Sequence, residues 1–198
     1  MRKKLIVISL IVAAIAILSY FLLDKKLALY FASNPLGVKD IFWKITRVGN
    51  SKYYLYSMPI IALLAFKFNK KIAKIALYIF SSVALSGILT DIIKVIFARF
   101  RPPIFIKDGS FGLNWFDFGY MVNSFPSGHA TTAFALFTAL AMLLPRYKAI
   151  FFAIASFVAI SRVVVGVHYF SDVLIGSLIG ALTALCLYQY FYKEKLCN

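Results

Sequence analysis

The stretch "NSFPSGHATTAFALFTALAMLL", Asn123 to Leu144, decides the fold, because a helix start leads directly into a long apolar run. Pro126 and Ser127 are residue types typical of a helix start, and Gly128 leaves the backbone uncovered there. A helix that crosses a bilayer needs about 20 mostly apolar residues. The stretch therefore predicts a membrane helix that begins at about Ser127.

The composition of the whole chain agrees with a membrane protein. Of its 198 residues 62% are hydrophobic, and the mean hydropathy is +0.86. Soluble domains are closer to half apolar. The net charge of +15 lies mostly in short basic clusters between apolar runs, where it contacts lipid headgroups, so we expect no nucleic-acid partner. Two cysteines support neither a disulfide framework nor a metal cluster.

Five further apolar stretches have the length or composition of membrane helices. The first is longer than the core of a signal peptide and lacks a clear cleavage site, so we expect it to be retained. The predicted fold is all-α, an integral membrane bundle of six transmembrane helices that forms a single domain over residues 1–198. The predicted helices are Leu5–Leu23, Tyr53–Phe68, Ile72–Phe97, Ser127–Leu144, Ala149–Val167 and Tyr169–Tyr190.

The basic clusters set the orientation. "MRKK", "KFNKKIAK", "PRYK" and "KEK" fall on one side, which the positive-inside rule makes the cytoplasm, and both termini are predicted there. Two segments lie on the outer side. In the first, apolar residues recur on one face of a helix that we expect to lie in the headgroup plane; they are Val38, Ile41, Phe42, Ile45 and Val48. The second, Ala98 to Phe125, is rich in aromatics that form either a membrane belt or a hydrophobic rim for an acyl chain.

Several charged or polar residues fall at the ends of predicted helices, all at the outer face. A charge at the centre of a membrane helix costs about 2.5–3.5 kcal/mol, so such residues usually have a purpose. The amides at a helix start favour an anion, and Ser127 and Gly128 lie at one. Together with Lys94, Arg101 and Arg162 they could surround a tetrahedral oxyanion. "PSGH" alone would be an ordinary capped helix.

Two histidines complete this set. His168 and Asp172 are spaced i, i+4, and on a helix the carboxylate could accept the imidazole N–H and leave the other nitrogen as nucleophile or base. His129 could give a proton to a leaving oxygen. The alternatives are a structural His–Asp bridge, a headgroup-facing histidine, and an Asp91–Lys94 pair that only neutralises itself.

These residues together resemble the type-2 phosphatidic acid phosphatase superfamily. "KVIFARFRP" (Lys94 to Pro102) matches a lysine, six residues and Arg-Pro; "PSGH" (Pro126 to His129) matches the second motif; and "SRVVVGVHYFSD" (Ser161 to Asp172) matches the third. The three motifs occur in the family's order, each at a predicted outer helix end.

The resemblance implies a mechanism. His168 would attack phosphorus and form a phosphohistidine, Asp172 would orient it, and His129 would protonate the leaving group and then activate water. The phosphate oxygens would be bound by Lys94, Arg101, Ser127, Gly128 and Arg162. The family's phosphatases need no metal or other cofactor.

The resemblance also implies a substrate and a location. We expect a lipid phosphatase of the bacterial inner membrane, with a periplasmic active site, membrane lipids around it and no obligate protein partner. The first choice of substrate is lipid A 1-phosphate, with undecaprenyl pyrophosphate and phosphatidylglycerophosphate as alternatives. The remaining alternatives are a non-catalytic lipid-binding or lipid-transporting protein, a phosphatase of soluble substrates, and a vanadate-binding oxidase.

Overall fold

The computed structural model describes residues 2–34, 37 and 39–192. Val38 of the predicted amphipathic face and the basic cluster at 193–195 lie outside these residues. Within the described ranges the chain forms nine α-helices, and its β-pairing is limited to one isolated bridge between Arg99 and Leu113. The helices are α1 (Arg2–Leu22), α2 (Asp24–Ser33), α3 (Lys39–Thr46), α4 (Ser51–Phe68), α5 (Lys70–Phe97), α6 (Pro102–Asp108), α7 (Gly128–Leu143), α8 (Lys148–Val164) and α9 (Phe170–Tyr192).

Each of the six stretches predicted to span the membrane is helical, as α1, α4, α5, α7, α8 and α9. The side chains of Asn50 and Asn69 cap α4 and α5 by accepting backbone N–H groups. In the described part of the chain, four segments are long and apolar enough to cross a membrane: Lys3–Leu22, Lys70–Phe97, Pro145–Val164 and Phe170–Tyr192. Helix α7 is apolar but has 16 residues, and α4 contains Pro59. The count of six spans therefore stays a prediction.

Helix α7 lies at the centre of the bundle, where it packs against α5, α8 and α9. Its buried face is rich in alanine, and small residues let membrane helices approach closely. Gly176 and Gly180 on α9 face it: a Cβ at Gly176 would lie 2.5 Å from the carbonyl oxygen of Ser127, and one at Gly180 would collide with the backbone of Thr131. The close contact of α7 and α9 thus depends on these glycines.

The remaining helices surround this centre. Helix α1 packs on α9, α4 on α5, and α3 on α8. Large apolar side chains of α1 and α4 are exposed, as expected for surfaces that face lipid. On α3, Ile45 packs against the central core while Ile41 and Trp43 are exposed. The helix predicted here is present, and its position in the headgroup plane stays a prediction.

One end of the bundle collects the functional segments. Helices α5 and α8 end there, and α7 and α9 begin there, so the three motifs meet at one level. Two short helices that the sequence did not indicate, α2 and α6, pack on each other close to this end.

Candidate active site

Backbone hydrogen bonds join the three motif segments. Ala98 ends α5 in the left-handed conformation (φ 39°), which turns the chain into the loop that carries Arg99 and Arg101. The carbonyl oxygen of Arg99 accepts the N–H of Ser124 at 2.9 Å. The N–H of Ser127, in the second motif, donates to the carbonyl oxygen of Asp172, in the third, at 3.0 Å. Backbone hydrogen bonds alone therefore fix the three motif segments to one another.

His168 is 4% exposed and lies just before α9. Its Nδ1 is 2.8 Å from the carbonyl oxygen of Ser124, which can only accept, so Nδ1 carries the proton. Its Nε2 is then unprotonated and lies 3.4 Å from Nη1 of Arg101. Burial lowers the pKa of His168 to about 3. The ring is consequently neutral, with its free nitrogen directed at a cation.

Asp172 holds His168 less directly than the sequence predicted. Because α9 begins at Phe170, the two residues do not share a continuous helical face, and Nδ1 of His168 is 3.6 Å from Oδ2 of Asp172. That oxygen instead accepts from Ser124 Oγ at 2.6 Å and from the N–H of Tyr169 at 2.9 Å. Ser124 contacts both residues, so it connects the carboxylate to the imidazole.

Arg101 is buried and points into the site. Its guanidinium donates to the carbonyl oxygens of Tyr120, Val167 and Asn123 at 2.8, 3.0 and 3.1 Å, and it lies 4.2 Å from the Tyr120 ring centroid. Burial lowers the pKa of Arg101. These hydrogen bonds hold the planar guanidinium of Arg101 beside Nε2 of His168.

Ser127 is fully buried, and it does not cap α7. Its Oγ has no hydrogen-bond partner among the described residues, although its carbonyl oxygen accepts from the N–H of Thr131 at 3.0 Å. The next residue, Gly128, lies against Lys94, whose Nζ would be 3.1 Å from a Cβ there. Lys94 also pairs with the exposed Asp91 at 3.2 Å. A free donor, the bare start of α7 and an ammonium group thus lie side by side.

His129 and Arg162 complete the set. His129 is half-buried, and the charges of Arg162, Lys94 and Arg101 all act on it. Nη1 of Arg162 donates to Thr46 Oγ1 at 2.9 Å, while its buried Nε has no partner within the described chain. The structure therefore brings all eight predicted site residues to one end of the bundle; their roles stay predictions.

Four further polar residues belong to this region. Asp24, Arg99, Ser124 and Ser171 are each at most 3% exposed and are hydrogen-bonded to one another or to Asp172. The sequence alone indicated no role for Asp24 or for Arg99. The only signal was the position of Arg99 inside the first motif. No cluster of three or more His, Cys, Asp or Glu that could hold a metal occurs in the described ranges.

An apolar cavity of about 300 Å³ opens beside the site, between α1 and α9. Phe97, Phe125 and Ile175 line it, and the buried Arg99 and Ser171 are also among its lining residues. In the loop before the second motif, Trp115, Phe116 and Phe118 are exposed. Among the aromatics of this loop, Phe125 therefore lines the cavity together with Arg99. The three exposed rings face outward, as those of a belt or a rim would.

Comparison with known proteins finds relatives that are similar in sequence and in fold. A lipid A 1-phosphatase of Rhizobium johnstonii is 35% identical over 182 residues, covering 85% of this chain and 73% of the relative. The crystal structure of Aquifex aeolicus LpxE superposes with a TM-score of 0.65 at 28% identity, over 86% of this chain and 97% of that one. A PAP2-type phosphatidylglycerolphosphate phosphatase from Bacillus subtilis gives 0.69 at 25% identity, over 98% and 96%.

The family predicted from the three motifs is confirmed. The model of the PAP2 superfamily matches residues 75–196, well over half of the chain and all three motifs. On this match, and on the identity to the Rhizobium relative, the chain belongs to the PAP2 superfamily.

Proposed function

We propose that this protein is an integral membrane lipid phosphatase that removes a phosphate through a phosphohistidine, with lipid A 1-phosphate as its substrate. The observation that carries the proposal is the state of His168: its Nδ1–H is donated to Ser124, and its Nε2 is left free beside Arg101. A buried, neutral imidazole whose free nitrogen is aimed at a cationic pocket is suited to attack a bound phosphate.

The reaction takes two steps. Nε2 of His168 forms a bond to phosphorus, the bond from phosphorus to the lipid oxygen breaks, and His129 gives that oxygen a proton. In the second step His129 takes a proton from water, whose oxygen attacks phosphorus, and inorganic phosphate leaves His168. Splitting the reaction this way turns one difficult displacement into two easier ones.

Three groups favour a tetrahedral anion at this place. Arg101 presents a guanidinium beside Nε2, the buried Oγ of Ser127 has a hydrogen bond to give, and Lys94 lies over the start of α7. Donors that are in place before the reaction stabilise charge that develops in the transition state. The long contact of 3.4 Å between Arg101 and His168 is one that a phosphate between them would replace.

The choice of lipid rests on the relatives. The identity to the Rhizobium lipid A 1-phosphatase favours a phosphate on lipid A. A second candidate is phosphatidylglycerophosphate, because the Bacillus phosphatase of that lipid superposes over nearly the whole chain. An apolar cavity next to the site suits an amphiphile of either kind.

Turnover of labelled lipids by the purified protein tests the function. We expect phosphate release to be fastest from lipid A 1-phosphate when it is compared with phosphatidylglycerophosphate, undecaprenyl pyrophosphate and a short-chain phosphate ester. EDTA should not change the rate. Equal turnover of the short-chain ester would remove the lipid assignment, and loss of activity in EDTA would remove the metal-free mechanism.

Trapping the intermediate tests the mechanism. Wild-type protein quenched in alkali should carry phosphate label that survives alkali and is lost on acidification, as a phosphohistidine does. His168→Ala should lose the label and slow phosphate release by roughly 10³-fold or more. Lys107→Ala, which removes an exposed cation on α6 outside the site, is the matched control and should behave as wild type. Undiminished turnover by His168→Ala would refute the nucleophile.

A further inference from the structure

Arg99 is the largest side chain that the structure buries completely, and it lies two residues before Arg101. Its Nη1 donates to Oδ1 of Asp172 at 2.5 Å and to Ser171 Oγ at 2.7 Å. Three aromatic rings, of Tyr169, Tyr20 and Phe111, cover the guanidinium with centroids 4.2, 4.7 and 5.2 Å from Cζ. This arginine is therefore sealed from solvent and cannot itself bind a phosphate.

The second carboxylate on Arg99 comes from α2. Nη2 donates to Oδ2 of Asp24 at 2.8 Å, across 75 residues of sequence. Asp24 is 1% exposed, and it also accepts from Ser19 Oγ at 2.9 Å, from the N–H of Ser171 at 3.1 Å and from Ser171 Oγ. Asp24 is thus fixed from three elements: the end of α1, the loop after α5 and the start of α9.

The order of charges is Asp24, Arg99, Asp172. Arg99 holds Oδ1 of Asp172, so that Oδ2 is left for Ser124, Tyr169 and His168. With Asp24 present, one cation is shared by two carboxylates, and Asp172 keeps a share of negative charge toward His168. The attraction of Arg99 to both carboxylates outweighs burial and raises its pKa, so the cation is permanent.

We propose that Asp24 and Arg99 are positioning residues, which fix the place and charge of Asp172 and through it the orientation of His168. The inference rests on the proposed function, in which His168 is the nucleophile. It assigns a role to the junction of α1 and α2, which contributes no residue to the three motifs. A small error in such an arrangement affects the reaction more than substrate binding, and a misplacement of about 1 Å can cost roughly 10²-fold in rate.

Asp24→Asn is the first test, because it keeps the shape of the side chain and removes its charge. We expect kcat for the lipid phosphate to fall roughly 10- to 100-fold while KM changes by less than about threefold. Asp40→Asn makes the same chemical change at an exposed position in the first turn of α3 and should leave both constants as they are. A kcat per folded molecule equal to that of wild type would overturn the proposal.

Arg99→Lys keeps the positive charge but lacks the forked guanidinium that spans two carboxylates. Its kcat should therefore be lower than that of wild type. If Asp24→Asn fails to fold, the double variant Asp24→Asn/Arg99→Gln removes both charges and replaces the first test. We expect it to fold and to show the same fall in kcat with unchanged KM. Wild-type kcat in the folded double variant would overturn the inference.

A measurement without turnover separates this inference from the proposed function. In a His129→Asn background, ¹⁵N NMR of His168 reports its proton directly. We expect Asp24→Asn, or the double variant, to shift the Nδ1 resonance, whereas Asp40→Asn should not. An inactive wild type would refute the proposed function, while an unchanged His168 spectrum would refute the positioning role.

Discussion

The two nitrogens of His168 have different neighbours, and this difference can be measured. The chain has two histidines, so His129→Asn leaves His168 as the only imidazole once any purification tag is removed. Because Nδ1 faces a carbonyl oxygen and burial lowers the pKa to about 3, we predict a neutral Nδ1–H tautomer between pH 8 and pH 5. ¹⁵N NMR titration of the ligand-free protein gives the tautomer and the midpoint.

The expected titration of His168 differs from that of an ordinary histidine. A histidine with its ordinary pKa, about 6.5, would be almost fully protonated at pH 5. In the folded protein, where the pKa is lowered, His168 should keep its Nδ1 proton and take up no second proton at Nε2 in this range. A midpoint near pH 6.5, or an Nε2–H tautomer, would contradict both the hydrogen bond to Ser124 and the free nucleophile.

Ser127 allows a similarly direct test of the phosphate pocket. Its buried Oγ bonds to nothing among the described residues, so Ser127→Ala should leave the melting temperature of the ligand-free protein nearly unchanged. A hydrogen bond to a charged group contributes about 1.5–3 kcal/mol, so kcat/KM should fall about 10- to 150-fold. Steady-state kinetics and thermal unfolding in one detergent measure both.

Thr138 provides the matched control. Its Oγ1 is likewise buried in α7 and unbonded within the described chain, but it lies ten residues beyond the start of the helix. Thr138→Val should change neither kcat/KM nor the melting temperature by much. Equal losses of kcat/KM in the two variants would mean that Ser127 acts through packing and not through the phosphate.

At the scale of secondary-structure elements, the packing of α9 on α7 fixes the site. The Ser127 backbone lies against Gly176, and the Thr131 backbone against Gly180, one turn further into the membrane. We predict that Gly180→Ala destabilises the protein by about 1–3 kcal/mol, as overpacking does, because the added methyl group meets backbone that cannot rotate away. Unfolding of the purified protein by heat or denaturant measures the loss.

Gly87 on α5 is the control for that substitution. Nothing lies within 4 Å of a Cβ built at Gly87. Gly87→Ala should therefore stabilise the protein slightly, by roughly 0.5–1 kcal/mol, through the better helix propensity of alanine. If Gly180→Ala were as stable as Gly87→Ala, the close contact of α7 and α9 would not require a glycine at position 180.

The sequence predicts these elements unequally well. The long helices follow from apolar runs bounded by basic clusters and by caps such as Asn69, which are local signals. Helix α2 is missed because "DKKLALYFAS" carries three charges directly after an apolar stretch and reads as a loop. In the structure its first residue, Asp24, is buried against Arg99, which is far away in sequence and gives no local signal.

The same distinction holds for the site. The residues in the three motifs are predictable, because their types and spacing are specific even where their partners are unknown. Ser124 and Arg99 are not, since a serine before a proline-containing turn and an arginine in a basic cluster have many ordinary explanations. Their roles arise only when the loops meet, as Ser124 contacts both His168 and Asp172.

At the scale of the whole molecule, the basic clusters within the described residues and the site lie at opposite ends of the bundle. Lys67, at the end of α4, and Lys70 and Lys71, at the start of α5, lie at the end of the bundle away from His168, as does Arg146 in the turn between α7 and α8. By the positive-inside rule we predict that this end faces the cytoplasm. The proposed active site would then open to the periplasm, where its phosphate product would be released.

Cysteine labelling in intact cells tests this orientation. In a background with Cys186→Ser and Cys197→Ser, Asn114→Cys places a thiol on the exposed loop beside the site, and Arg146→Cys places one at the opposite end. We predict that a membrane-impermeant maleimide that passes the outer membrane labels Asn114→Cys in intact cells, and labels Arg146→Cys only after the inner membrane is permeabilised. Retained phosphatase activity shows that both variants are folded. The reverse pattern of labelling would invert the topology and place the site in the cytoplasm. Labelling of both positions from outside would contradict the single crossing by α7 between residues 114 and 146.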